Sequence, residues 1–167
     1  MPHILFVCTA NICRSPVAEG LLQRHFEEQG MDAWTVASAG TWATQERGAS
    51  RNSILVLADR GIDIGSHQSR MVNREMLEEA DLVLCMESGH AEALHAEFPE
   101  MGYKVFMLSQ MVGKRHSIAD PYGAELPAYQ RMLNEVETLI EQGLPRIMEL
   151  AGENARRRWG TIGSDEG

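Results

Sequence analysis

The sequence predicts an α/β protein: one domain on a parallel sheet covered by helices on both sides. Three observations predict it. Short apolar runs, residues 4–7 and Leu82–Cys85 among them, lack the in–out alternation of a half-solvated strand, as expected where both sheet faces are buried. Between these runs lie longer stretches whose apolar residues recur at helical spacing. The two kinds alternate along the chain, which calls for a parallel sheet with right-handed crossovers. A length of 167 residues with 44% hydrophobic content suits a single core.

Residues 4–7, Ile-Leu-Phe-Val, read as the first strand. Pro16 suits a first helical turn, and Val17, Ala18, Leu21, Leu22 and Phe26 give that helix one apolar face until Gly30 ends it. Residues 34–37 read as the second strand, and 38–48, small and polar, as a loop. Residues 49–59, stopped by Gly61, suggest a second helix. Residues 70–79 hold a short one with Asn73 as N-cap. The third strand spans 81–86. Ser88 caps a helix running to about Glu97, before Pro99. Residues 104–108 make the fourth strand and 109–127 a long loop. Residues 128–150 make the closing helix, with Leu133, Val136, Ile140 and Leu144 on one face and Pro145 as a break or kink. The domain is assigned to 1–150. Residues 151–167, with Arg156-Arg157-Arg158, Trp159 and an acidic glycine-rich end, read as a polar tail that frays, a partner-binding role being the alternative.

Composition excludes several classes. The formal net charge of −9 argues against nucleic acid as a partner, because a phosphate backbone demands a basic face. No apolar run approaches the length of a membrane span, and no basic region precedes a long apolar one as in a secretory signal. Three cysteines, an odd number, do not make a disulfide framework, and the cytosol is the default compartment. No metal site stands out: His90 and His95 are spaced wrongly for a same-face pair. His67, Arg70 and the other histidines look peripheral.

The chemistry concentrates between the first strand and the first helix, where the chain reads Cys8-Thr9-Ala10-Asn11-Ile12-Cys13-Arg14-Ser15. Such a junction aims several backbone N–H groups at one point, with the positive end of the helix behind them, and suits a phosphate-sized dianion. A thiol there, beside a guanidinium, is favoured as the thiolate. Ser15 is placed to donate to that sulfur, and Arg14 carries a planar fork that grips two phosphoryl oxygens. Distant acidic surface charge does not cancel this local field, since it is screened over about 8–10 Å.

This stretch resembles the phosphate loop of the low-molecular-weight protein tyrosine phosphatases. The resemblance extends to Ser38-Ala39-Gly40-Thr41, Leu84-Cys85-Met86 and Asp120-Pro121-Tyr122-Gly123, and covers roughly residues 3–150. It implies a three-layer α/β/α fold with a four-stranded sheet in the order 2-1-3-4. It implies a phosphotyrosine-protein substrate, a phosphocysteine on Cys8, Asp120 as general acid and base, and no cofactor or metal. Thr9, Ala10, Asn11, Ile12, Cys13 and Arg14 would bind the phosphoryl group. Trp42 and Tyr122 would wall the cleft for a phenyl ring. Within the family, isoleucine at position 12 goes with phosphotyrosine and threonine with phosphoarginine. Cys13 is either a loop-packing residue or, as the resemblance implies, a partner that closes a protective disulfide on Cys8. Cys85, mid-strand, reads as core. Ala10 departs from the more usual glycine, which matters if that residue needs a positive φ. The alternatives are a protein-arginine phosphatase, an arsenate reductase, which needs a further cysteine pair downstream, and a non-catalytic phosphate-binding module.

Overall fold

The computed structural model describes residues 1–164. Four parallel strands, β1 (His3–Cys8), β2 (Thr35–Gly40), β3 (Leu82–Cys85) and β4 (Val105–Met107), form one sheet in the order β2-β1-β3-β4. The helices are α1 (Arg14–Glu28), α2 (Arg51–Ala58), α3 (Arg74–Glu79), α4 (Ser88–Glu97) and α5 (Leu126–Ser164), with 3₁₀ turns at Pro99–Lys104 and Leu108–Val112.

Side chains alternate across each strand, so the sheet has two dry faces. Ile4, Phe6, Leu82 and Leu84 pack with Val17, Leu22 and Phe26 of α1 and with Leu133, Val136 and Ile140 of α5. Leu5, Val7, Val83 and Cys85 pack with Leu77 of α3 and Leu94 of α4. Each fully buried Leu, Ile or Phe is worth about 1.5–3 kcal/mol. This double burial is why the strands read as unbroken apolar runs. It also fixes the far end of β1, and with it Cys8, between two layers.

Three elements differ from the sequence reading. First, β2 runs on through Ser38, Ala39 and Gly40 and leaves out Trp34, which packs on Phe26 at 5.3 Å. The small residues that look like loop pair with Phe6, Val7 and Cys8. Second, α4 is capped by Glu87, not Ser88. Glu87 and His90 satisfy each other's backbone N–H groups in a capping box. Third, α5 does not stop at Pro145 or at 150. Pro145 sits on the exposed side, while Ile140, Ile147 and Ala151 hold the buried side. Beyond residue 150 the helix is anchored. Asn154 Nδ2 donates to the carbonyl of Asp81 (2.8 Å), and Arg158 makes two 3.0 Å bonds to its carboxylate. Residues 165–167 lie outside the described residues. Asn73 does cap α3, its Oδ1 accepting from Met76 N at 2.9 Å.

No helix among the described residues is long and apolar enough to cross a membrane.

Candidate active site

The residues from Cys8 to Arg14 leave β1 and enter α1 in one tight turn. Its shape follows from where its carbonyls go. The carbonyls of Cys8 and Thr9 accept from Thr41 N (2.9 Å) and Trp42 N (2.8 Å). Those of Asn11, Ile12 and Cys13 accept from His67 Nε2 (2.7 Å), Ser50 N (2.8 Å) and Ser53 Oγ (3.2 Å). Bonding these five carbonyls to groups outside the loop suits a loop whose amides serve an oxyanion.

Asn11 is the one non-glycine residue with positive φ among the described residues, at 60°. The left-handed position is therefore Asn11, and Ala10 fits without a glycine. Asn tolerates this conformation better than most residues, and here it is held. Its Oδ1 accepts from Arg70 N (3.1 Å), so its Nδ2 must be the donor to Ser15 Oγ (2.8 Å) and Ser38 Oγ (2.9 Å). Ser15 Oγ, accepting from Asn11, has its own hydrogen free for Cys8 Sγ, 2.9 Å away. The polarity of the contact to sulfur is thus set three residues back, by the backbone of Arg70.

His67 and Arg70 are therefore not peripheral. Both support the loop, and burial pushes the His67 imidazole below its ordinary value, against the pull of the Asn11 carbonyl. Nothing in the sequence joins residues so far apart. The contact also requires Gly40. A Cβ there would fall inside van der Waals distance of the Thr9 carbonyl and 3.1 Å from Asn11 N.

Arg14 is only 1% exposed and is the largest fully buried side chain among the described residues. Its Nη1 donates to the Ile118 carbonyl at 2.7 Å. Glu87 Oε2 lies 3.4 Å from both Nη atoms, Thr9 Oγ1 3.4 Å from Nη2, and Asp120 Oδ2 3.6 Å from Nη2. Its Nε, equally buried, has no hydrogen-bond partner among the described residues. A buried donor on a charged group is costly to leave unmade, so an anion is what the position calls for.

Asp120 stands at the rim, its side chain 44% exposed, with Oδ1 accepting from Tyr122 N at 3.1 Å. Glu87, to which the sequence assigns no role, and His90, which reads there as peripheral, join this group. His90 is buried, and its imidazole is pushed down to about 4, first by burial and then by the Arg14 cation, with Glu87 and Asp120 opposing.

Cys8, Ile12, Arg14, Asp120 and Tyr122 line one cleft of about 220 Å³. Thr9, Ala10 and Cys13 share its wall, and Arg47 stands over the Tyr122 ring at 6.0 Å. Arg47 lines the cleft, whereas Trp42, expected there, is 70% exposed and does not line it. The loop that carries both is small and polar, with no periodicity to show which side chain turns inward. Larger hollows of about 480 and 510 Å³ lie at the C-terminal helix and the outer strand, and neither holds a cysteine. Cys13 lies 3.4 Å from Ser50 Oγ and 3.6 Å from Tyr129 Oη, its thiol pushed up by burial. Cys85 is fully buried in β3, and burial pushes its thiol up as well.

A buried thiol at the floor of this loop, with an arginine fork beside it and a carboxylate at the rim, on a doubly covered parallel sheet, makes a cleft suited to an oxyanion. The comparisons with known proteins are specific. The family model described as low molecular weight phosphotyrosine protein phosphatase matches residues 3–154. A protein-arginine-phosphatase of Geobacillus stearothermophilus is 40% identical over 144 residues, covering 85% of this chain and 94% of that protein. A probable low molecular weight protein-tyrosine-phosphatase of Ralstonia nicotianae is 33% identical over 147 residues, covering 88% and 97%. The crystal structure of the low molecular weight protein tyrosine phosphatase from T. tengcongensis superposes with a TM-score of 0.83 at 37% identity, covering 87% and 99%. The chain belongs to the low molecular weight protein tyrosine phosphatase family and is a phosphatase of that family.

Proposed function

We propose that the protein hydrolyses phosphotyrosine in protein substrates, and small aryl phosphates, through a phosphocysteine on Cys8. The observation that carries this reading is the buried Arg14, which lines the same cleft as Cys8 and whose Nε has no hydrogen-bond partner among the described residues. Loop amides and Arg14 hold the phosphoryl oxygens. The Cys8 thiolate attacks phosphorus in line; the P–O ester bond breaks, and Asp120 gives its proton to the departing phenolate. Water then attacks the phosphocysteine and passes a proton to Asp120. The P–S bond breaks, with the Ser15 hydroxyl stabilising the sulfur that leaves, and inorganic phosphate is released. Arg14 and the amides stabilise the charge that spreads over the equatorial oxygens in both steps. The route uses side chains and water alone. A thiolate nucleophile works in a reducing compartment, which fits a cytosolic enzyme.

A second reading, protein-arginine phosphatase, is favoured by the name of the 40% identical relative. Ile12 weighs against it. That side chain is 3% exposed and lines the cleft, where it offers a phenyl ring an apolar wall and offers a phosphoguanidine no polar atom. An apolar wall of this kind disfavours the more polar substrate by about 10–100-fold. Arsenate reduction would need a relay thiol, and Cys85 is sealed in the core without a downstream companion.

The test is one preparation assayed on a phosphotyrosine peptide, the same peptide with phosphoarginine, and arsenate with a thiol reductant. The expected result is a kcat/KM for phosphotyrosine at least about tenfold above phosphoarginine, the discrimination one polar group in a pocket supplies. The opposite order would replace the first reading with the second.

A further inference from the structure

Thr9 sits directly after the cysteine, on the cleft wall, and its hydroxyl is oriented by two donors. The backbone N–H of Glu87 donates to His90 Nδ1 at 3.1 Å. A backbone N–H can only donate, so Nδ1 carries no hydrogen and the neutral ring carries it on Nε2. That Nε2 lies 2.9 Å from Thr9 Oγ1, with Glu87 Oε2 sharing it at 3.2 Å. Thr9 Oγ1 therefore accepts from His90, and it accepts again from Arg14 Nη2 at 3.4 Å. A hydroxyl has two acceptor sites and one hydrogen. With both acceptor sites used, the hydrogen is directed away from His90 and Arg14.

We propose that the Thr9 hydroxyl is a further hydrogen-bond donor to the oxyanion bound in the cleft, and that His90 is the positioning residue that fixes its direction. The proposal rests on the reading that this loop binds a phosphoryl group. It gives the buried imidazole a task that the mechanism above leaves open. If Arg14 alone faced the hydroxyl, Thr9 could turn its hydrogen elsewhere; the imidazole removes that freedom before the ligand arrives, which is preorganisation. His90 reaches the site through Thr9 and touches no reacting atom.

The experiment measures the affinity of the full chain for inorganic phosphate and orthovanadate, alongside kcat and KM on an aryl phosphate. Thr9→Val keeps the shape and removes the hydrogen. It is expected to weaken both anions and lower kcat/KM by roughly tenfold or more, the worth of one hydrogen bond to a charged group. Thr9→Ser restores most of the loss. His90→Leu reproduces the Thr9→Val loss, and His90→Gln, whose amide nitrogen can replace Nε2, recovers it. The Thr9→Val/His90→Leu pair loses no more than either single variant, as for two residues acting through one bond. Wild-type affinity in Thr9→Val overturns the proposal, as do losses that multiply in the double variant. Should Thr9→Val fail to fold, the contrast between His90→Leu and His90→Gln decides alone. A wild-type chain that binds phosphate but turns over no phosphotyrosine sinks the functional reading and leaves this one standing; a chain that binds neither anion sinks both.

Discussion

Gly40→Ala tests whether the shape of the cysteine loop is imposed by the neighbouring strand. Gly40 is the last residue of β2 and pairs with Cys8. An added Cβ would press into the Thr9 carbonyl and meet Asn11 N and Ala43 Cβ, each at 3.1 Å. Strand β2 cannot retreat cheaply. Gly40 N donates to the Arg70 carbonyl at 2.9 Å, and its own carbonyl accepts from Val72 N at 2.8 Å. The yielding partner is then the loop, whose Thr9 carbonyl must move by about 1 Å to regain ordinary contact. Misplacing a catalytic group by about that distance costs on the order of 100-fold in rate. The overpacking itself costs about 1–3 kcal/mol, which a folded chain of this size can bear. The assay pairs kcat/KM on an aryl phosphate with a thermal melt. The expected outcome is a folded protein with kcat/KM reduced about 100-fold and weakened vanadate inhibition. A folded variant with wild-type kcat/KM would refute the claim that this contact sets the loop.

Asp120→Ala is expected to lower kcat on poor leaving groups by roughly 10²–10⁴-fold, the usual worth of a general acid, with a smaller loss on activated aryl phosphates; equal losses on both would point to a different proton donor. His90 makes the fold sensitive to acid. Its imidazole lies at about 4 in the folded chain against 6.5 when free, so the folded state favours the neutral ring. The His90 contribution to stability is intact above 6.5 and is lost as pH falls toward 4, because the unfolded chain takes up the proton first. Between neutral pH and about 5 this amounts to about 2 kcal/mol, and His90→Gln should shrink the acid-induced fall in urea stability by that much. Arg158→Ala strips the buried Asp81 carboxylate of a two-bond partner. The arginine is itself about a third exposed, so the expected loss is about 2 kcal/mol, below the range for a fully buried pair. It is read as a drop in Tm with kcat unchanged.

How much of this was legible beforehand follows from the physics of each signal. Strands buried on both faces announce themselves as Ile4, Leu5, Phe6 and Val7 do, so the sheet could be read. The Cys8–Ser15 loop could be read because its parts are adjacent in sequence. What stayed hidden was its frame. His67, Arg70, Ser38 and Gly40 reach Asn11 from other elements, and from the start of α4 Glu87 reaches Arg14 and His90 reaches Thr9. None of these contacts has a periodicity or a spacing. The end of β2 was misread because small residues serve loops and close strand approaches equally well. The last turns of α5 look solvated because of their charges, whereas Arg158 answers the buried Asp81 carboxylate beside the starts of β1 and β3.

In the proposed reaction phosphorus becomes bonded to one sulfur during turnover. Acid quenching within a single turnover of an aryl phosphate, followed by peptide mass spectrometry, tests it most directly. The expected result is one phosphoryl group on Cys8, absent in Cys8→Ala, which is also inactive. A phosphoryl group on any other residue, or steady turnover by Cys8→Ala, would contradict it.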